Sequence, residues 1–309
     1  MKISPDVLGA IGNTPLIQLR NVVHPGGARI VAKLEGANPT GSMKDRMARA
    51  MIEAAEHDGT LRPGGTVIEF TGGSTGTSLA MVCAAKGYRL LIVTSNATSL
   101  EKRTHMKALG AELTVLHSEG ARVTNELFKA LVSTTEKLVS ETGGFWTNQF
   151  RNQNQASGYY ALGEEIWDQT GGRVDGFATA VGTCGSLKGV ATILRRRNPR
   201  IHVVAVEPAE SPVLSGGQSG AHRIEGVGVG QIPFLWDPSL VSSIEKVSTA
   251  DAEVMARRLA REEGIFAGTS SGANVVAAVR LAEKLGPDAT VATLLVDHGL
   301  KYLSVDVFT

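Results

Sequence analysis

The chain carries 309 residues, 42% apolar and 20% charged, with 31 Lys plus Arg against 30 Asp plus Glu and so a net charge of +1. This excludes a disordered chain and the basic excess of a nucleic-acid binder, and it leaves room for about two domains at roughly 150 residues each. Two cysteines, Cys83 and Cys184, exclude a disulfide framework, while the lack of a signal peptide or of about 18 consecutive apolar residues predicts a cytoplasmic protein with no membrane partner.

In chain order, β-branched runs alternate with longer helical patterns. The spacing predicts a strand over 30–34 and a helix over 45–56, then a strand over 66–70 and an Ala-rich helix over 77–86. A strand over 89–94 leads to a helix over 100–109, opened by Thr98 and Glu101 as a capping box. A strand over 112–116 and a long helix over 123–140 follow. In the second half, strands are expected over 177–181, 202–207 and 290–296, and helices over 187–197, 251–263 and 273–285. Such alternation makes an α/β fold of mostly parallel sheets flanked by helices. The polar stretch 147–154 is the expected domain boundary.

The 36 glycines are about 12% of the chain against about 7% on average, and they gather where a strand runs into a helix. Three such turns stand out: Thr71-Gly72-Gly73-Ser74-Thr75-Gly76, Gly182-Thr183-Cys184-Gly185-Ser186 and Gly268-Thr269-Ser270-Ser271-Gly272. A helix amino terminus exposes unpaired amides, glycines admit an anion closely, and hydroxyls add donors. One cluster alone is more often a tight βα connection; three together point to phosphate or carboxylate binding. None closes with Gly-Lys-Ser/Thr, so none is a P-loop, and none has the dinucleotide fingerprint.

A fourth feature is Asn38-Pro39-Thr40-Gly41-Ser42-Met43-Lys44-Asp45-Arg46. Turn formers deliver Lys44 to the first turn of a helix, where the dipole disfavours a cation. That field lowers the amine pKa and favours a neutral nucleophile.

In this order, the Lys44 motif and the three turns resemble the pyridoxal-phosphate enzymes of the tryptophan-synthase-β fold type (fold type II). Within them the chain is most similar to the cysteine synthase (O-acetylserine sulfhydrylase) and cystathionine β-synthase family. Ile11-Gly12-Asn13-Thr14-Pro15-Leu16, Gln149-Phe150, Glu225-Gly226-Val227-Gly228-Val229-Gly230 and Lys301-Tyr302-Leu303-Ser304 extend the likeness over essentially the whole chain. It implies two open twisted sheets in a smaller substrate-binding domain, residues 38–148, and a larger cofactor-binding domain, residues 1–37 plus 149–309, and, as is usual in the family, a homodimer. It also implies pyridoxal 5'-phosphate as cofactor. Lys44 would form the Schiff base and act as base at the substrate α-carbon; Gly182, Thr183, Cys184, Gly185 and Ser186 would cradle the phosphate; Ser270 would meet the pyridine nitrogen and Ser74 the phenolic oxygen. Thr71, Gly72, Gly73, Thr75, Gln149 and Gly228 would bind the amino-acid substrate. Because a serine cannot keep the ring nitrogen protonated, the ring is a weaker electron sink, which favours prompt loss of a β-substituent.

The implied reaction is β-replacement on O-acetyl-L-serine by sulfide, giving L-cysteine and acetate through an aminoacrylate. The alternatives are another donor or nucleophile (O-phosphoserine, thiosulfate, cyanide, homocysteine), β-elimination as in a cysteine desulfhydrase or serine/threonine dehydratase, or a non-catalytic cofactor-binding regulator. The chain departs from the family's usual residues at several points. Ser74 stands for Asn, Gly72 for a hydroxyl residue and Cys184 for Gly, and the pair Gly72-Gly73 is expected to leave extra room at the carboxylate turn. Cys184 is read as a small buried group behind the loop rather than a redox centre, and Cys83 as core. His298 is either a titrating group close to the ring or a structural histidine at a strand end.

Overall fold

The computed structural model describes residues 3–119 and 124–308. Ten strands form two sheets among these residues. The six-stranded sheet contains β1 (Leu16–Gln18), β2 (Arg29–Leu34), β7 (Gly176–Ala180), β8 (His202–Pro208), β9 (Ser243–Val247) and β10 (Thr290–Leu295), in the order β1-β2-β10-β7-β8-β9. Only β1 runs antiparallel, with Leu16 opposite Lys33. The four-stranded sheet is parallel throughout: β3 (Thr66–Phe70), β4 (Arg89–Ser95), β5 (Glu112–Leu116) and β6 (Phe145–Trp146), in the order β5-β4-β3-β6.

Both central strands show why the sheets are covered on two faces. Every residue of β7 and β10 is buried, the continuous apolar run that parallel strands require when helices lie above and below. The helices are α1 (Lys44–His57), α2 (Ser74–Lys86), α3 (Leu100–Ala108), α4 (Asn125–Thr142), α5 (Tyr160–Gln169), α6 (Gly185–Arg197), α7 (Thr249–Glu262) and α8 (Thr269–Leu285). On α1 the side chains of Met47, Met51 and Ile52 have no exposed surface and belong to the core shared with α2. Truncating one of them to Ala would cost about 2–5 kcal/mol. A smaller cluster under β3 stacks Phe70 on Phe150, with Phe128 and Trp146 around them.

The predicted alternation is present. The strands β1, β6 and β9 are additional; they are short or half-exposed edges with no long apolar run. The predicted start of α4 at Val123 lies outside the described residues. The capping box is corrected. Ser99, not Thr98, is the N-cap of α3 and makes no side-chain cap. Thr98 shares a hydrogen bond with the Thr94 hydroxyl at 2.9 Å, and Glu101 accepts from Ser304 at 2.7 Å.

Candidate active site

Lys44 is the first residue of α1, and the loop before it is pinned on both sides. Thr40 donates its amide (2.8 Å) and hydroxyl (2.5 Å) to the Asp45 carboxylate. Met43 donates its amide to Val296 O at 2.9 Å, beside a bridge between Ser42 and Asp297. Burial pushes the Lys44 amine down to about 8, against the pull of the Asp297 carboxylate. The direction is the one expected from the helix dipole, but desolvation is the leading cause.

Behind Lys44, Arg46 fixes the orientation of α1. Its guanidinium donates twice to Glu35, both at 2.8 Å, and twice to Glu165, at 2.7 and 2.9 Å. Glu165 also pairs with Lys33 at 2.6 Å. The motif at 11–16 feeds this cluster: Asn13 N–H donates to Glu165 at 3.1 Å and the Thr14 hydroxyl to Glu35 at 2.7 Å. Burial raises the Glu165 pKa, but Arg46 and Lys33 outweigh it and hold the carboxyl down to about 2. Breaking such a pairing leaves a buried charge, at about 3–5 kcal/mol.

The end of β10 brings a second element to Lys44. Val296 accepts from Met43 on one side, and its own amide donates to the Ser271 hydroxyl at 2.9 Å on the other. Ser270, in the first turn of α8, therefore lies on the same strand end as the lysine loop. Ser270 is 2% exposed, and its hydroxyl makes no hydrogen bond among the described residues.

The turn after β7 opens α6, whose first internal amide bond is Lys188 N–H to Cys184 O at 3.0 Å. The amides before it are left for a ligand. A side chain at Gly182 would collide with the Gly226 carbonyl, and one at Gly185 with Gln155, so the cradle admits only backbone there. Ser186 is buried with a hydroxyl free of protein partners among the described residues. Cys184 adopts a left-handed φ of 72° and is 2% exposed. Burial pushes its thiol up to about 12, so it packs as an inert group behind the loop. Gly228 joins the same turn by donating its amide to Val181 O at 3.0 Å.

The turn after β3 opens α2 at Ser74. Thr71 accepts the Gly73 amide on its hydroxyl at 3.0 Å. Thr75 donates its hydroxyl to Gln149 Oε1 at 2.7 Å, and Gln149 Nε2 donates to Phe70 O at 3.0 Å. The expected extra room at Gly72-Gly73 is half corrected. Gly72 is exposed with open space beside it, but Gly73, at φ 134°, lies against the Lys102 side chain, and a Cβ there would overlap it. Lys102 pairs with Glu225 and sits 4.4 Å above the Tyr302 ring.

Most of the residues expected to act lie in the segments that follow β3 and β7, with Gln149 after β6 and Gly228 after β8; the carboxyl ends of strands are where open α/β sheets bind ligands. Gln155, Glu69 and the Lys102–Glu225 pair were missed. A charge inside the apolar strand 66–70 was the available signal for Glu69; for Gln155 there was none. Of the two readings of His298, the geometry favours the structural one: its Nδ1 caps the turn at 299–302 by accepting from Leu300 N–H at 3.2 Å. Cys83 is core, at 1% exposure.

The donor set fits a phosphorylated aldehyde cofactor: a half-buried amine with a depressed pKa, an amide cradle without side chains, and a buried hydroxyl awaiting a partner. Residues 7–297 match the Pyridoxal-phosphate dependent enzyme family, and the chain belongs to it as a fold type II enzyme using pyridoxal 5'-phosphate. Within that class it is a cysteine synthase-like enzyme of the cysteine synthase and cystathionine β-synthase group. It is 43% identical to a cysteine synthase of Staphylococcus aureus over 301 residues, 97% of this chain and 95% of the relative. A crystal structure of cysteine synthase from Entamoeba histolytica superposes with a TM-score of 0.92 at 36% identity, covering 99% of this chain and 91% of that one. An O-acetylserine dependent cystathionine beta-synthase from Helicobacter pylori gives a TM-score of 0.92 at 32% identity, with all of both chains covered.

Proposed function

We propose that the protein replaces the β-substituent of O-acetyl-L-serine with sulfide, releasing acetate and L-cysteine. The observation that carries this reading is the placement of Lys44 on the strand end that also holds Ser270, its loop touching α2 through Thr40 and Ser78 at 3.3 Å, with Thr75 of the same helix already aligned by a 2.7 Å hydrogen bond to Gln149.

Pyridoxal 5'-phosphate, when bound, supplies an electron sink conjugated to the substrate α-carbon. Lys44 holds the cofactor and then, freed, takes the α-proton; a pKa near 8 keeps a useful fraction of the amine neutral near neutral pH. The amides of Gly182, Thr183, Cys184 and Gly185, with the hydroxyls of Thr183 and Ser186, hold the phosphate. Thr71, Gly72, Gly73 and Thr75, with Gln149, orient the substrate carboxylate, and Gly228 borders the substrate side. Ser270 gives the ring nitrogen a neutral partner, and Ser74 meets the phenolic oxygen. The smaller domain of residues 38–148 and the larger of 1–37 plus 149–309 are part of this reading, supported by the four-stranded sheet falling within the first and the six-stranded sheet within the second. A cytoplasmic homodimer is its quaternary counterpart, supported by family resemblance and checked by light scattering.

The test is to mix the cofactor-loaded enzyme with O-acetyl-L-serine and sulfide and measure cysteine. Pyruvate and ammonia in place of cysteine would move the reading to elimination. Inertness with O-acetyl-L-serine but turnover of O-phospho-L-serine would replace the donor.

A further inference from the structure

Glu69 is the fourth residue of β3 and has no exposed surface. Its carboxylate faces four donors and no cation among the described residues. Oε1 accepts from Phe70 N–H at 2.9 Å and Trp146 Nε1–H at 3.3 Å; Oε2 accepts from the Thr147 hydroxyl at 2.6 Å and Gln149 N–H at 2.9 Å. These bonds clamp the end of β3 to the segment 146–149. Within that segment Asn148 adopts a left-handed φ of 45°, a conformation that a side-chain-bearing residue keeps only when its surroundings hold it there. The next residue, Gln149, projects back to Phe70 O and Thr75.

We propose that Glu69 is a positioning residue for amino-acid binding: its carboxylate fixes the backbone of Gln149, and through it the side-chain amide that aligns Thr75 for the substrate carboxylate. The inference rests on the substrate-binding reading of Gln149 and Thr75, and it adds a residue that touches neither substrate nor cofactor. Its distinguishing property is charge. Three of the four partners, the two backbone N–H groups and the indole N–H, can only donate, so the ionised carboxylate suits the set best; a protonated one would either turn the Thr147 hydroxyl into an acceptor or set its O–H against an N–H donor. Burial pushes this carboxyl up to about 7, against the four hydrogen bonds. The groups packed on it, Phe70, Trp146, Thr147 and Gln149, do not titrate in this range. As pH falls through about 7 the carboxylate takes up a proton, and the clamp loosens.

The experiment uses the cofactor-loaded enzyme and Glu69→Gln, which imitates the protonated form. Dissociation constants of O-acetyl-L-serine and of O-phospho-L-serine are read from the cofactor absorbance at pH 8 and pH 6. Expected is binding weakened about tenfold in the variant at pH 8, the scale of one unsatisfied buried donor, with the ratio falling toward one at pH 6, where the native carboxyl is itself protonated. The cofactor spectrum before addition should match the native one. Equal ratios at the two pH values, or native affinity at both, would overturn the proposal. Should Glu69→Gln fail to fold, Thr147→Val removes the 2.6 Å donor and should move the pH midpoint of native-type binding upward; an unmoved midpoint overturns it equally. Cysteine formation is not needed for this reading, so failure of the O-acetylserine reaction would be told apart from failure of the clamp.

Discussion

Gln155 donates its side-chain amide to the backbone carbonyl of Gln149 at 2.6 Å, and with its own oxygen accepts from the Thr183 hydroxyl at 2.5 Å. One fully buried glutamine thus joins the turn proposed for the substrate carboxylate to the turn proposed for the cofactor phosphate. Gln155→Leu would leave the Gln149 carbonyl and the Thr183 hydroxyl unpaired, at about 1–3 kcal/mol. Cofactor dissociation, followed by dialysis against a pyridoxal-phosphate scavenger, should speed up by roughly tenfold or more. The Michaelis constant for the amino acid should rise with it. A change in one without the other would show that Gln155 does not couple the two turns.

For Lys44 the outcome is categorical. Borohydride treatment of the yellow holoenzyme should bleach it and leave the cofactor on the peptide containing Lys44. Lys44→Ala should still retain the cofactor through residues 182–186 but lose turnover. An adduct mapped to another lysine would end the assignment.

Cys184 pits two small costs against each other. Its left-handed φ of 72° is a strain of about 1–3 kcal/mol for a residue with a side chain, and glycine would relieve it at the loss of a small buried group. Cys184→Gly should therefore keep the cofactor and shift the melting temperature by no more than a few degrees. Cys184→Val, β-branched at the same φ, should melt well below the native protein. Because burial holds the thiol at about 12, iodoacetamide at pH 8 should leave Cys184 unmodified in the folded enzyme.

The strand-helix alternation and the four motifs were legible in the sequence because each is local: a period, a turn, a helix start. What joins them was not. Gln155 meets Thr183 across 28 residues and Lys102 meets Glu225 across 123, and no local pattern encodes such a contact. The capping box at Thr98 failed because a competing partner, Thr94 on the adjacent strand, takes its hydroxyl. The space expected at Gly73 is occupied by Lys102, a neighbour invisible until the turn and α3 are packed together. Edge strands such as β9 escaped notice because Ser243, Ile244 and Glu245 are only half-buried, which blurs the alternation that marks a strand.

Ser270 tests how the ring nitrogen is partnered. A neutral hydrogen bond contributes about 0.5–1.5 kcal/mol, so Ser270→Ala should slow turnover by no more than about tenfold. Ser270→Asp should protonate the ring, slow loss of the β-substituent and raise side reactions such as transamination. Native rate and spectrum in Ser270→Asp would place the ring nitrogen elsewhere.

The last prediction concerns Ser74, the first residue of α2. It is half-buried, and its hydroxyl makes no hydrogen bond among the described residues, so it is free to meet a ligand atom directly or through water. Family members usually carry Asn here, with a longer arm and two amide donors. The Ser74 carbonyl accepts from the Ser78 hydroxyl at 3.0 Å, a bond that the exchange leaves in place. Ser74→Asn therefore adds at most one hydrogen bond to the cofactor's phenolic oxygen, about 1 kcal/mol. The rate with O-acetyl-L-serine should change by less than about 30-fold, with cysteine still the product. A larger gain, or a switch from elimination to cysteine formation in the variant, would mean that Ser74 sets the reaction outcome rather than trimming its rate.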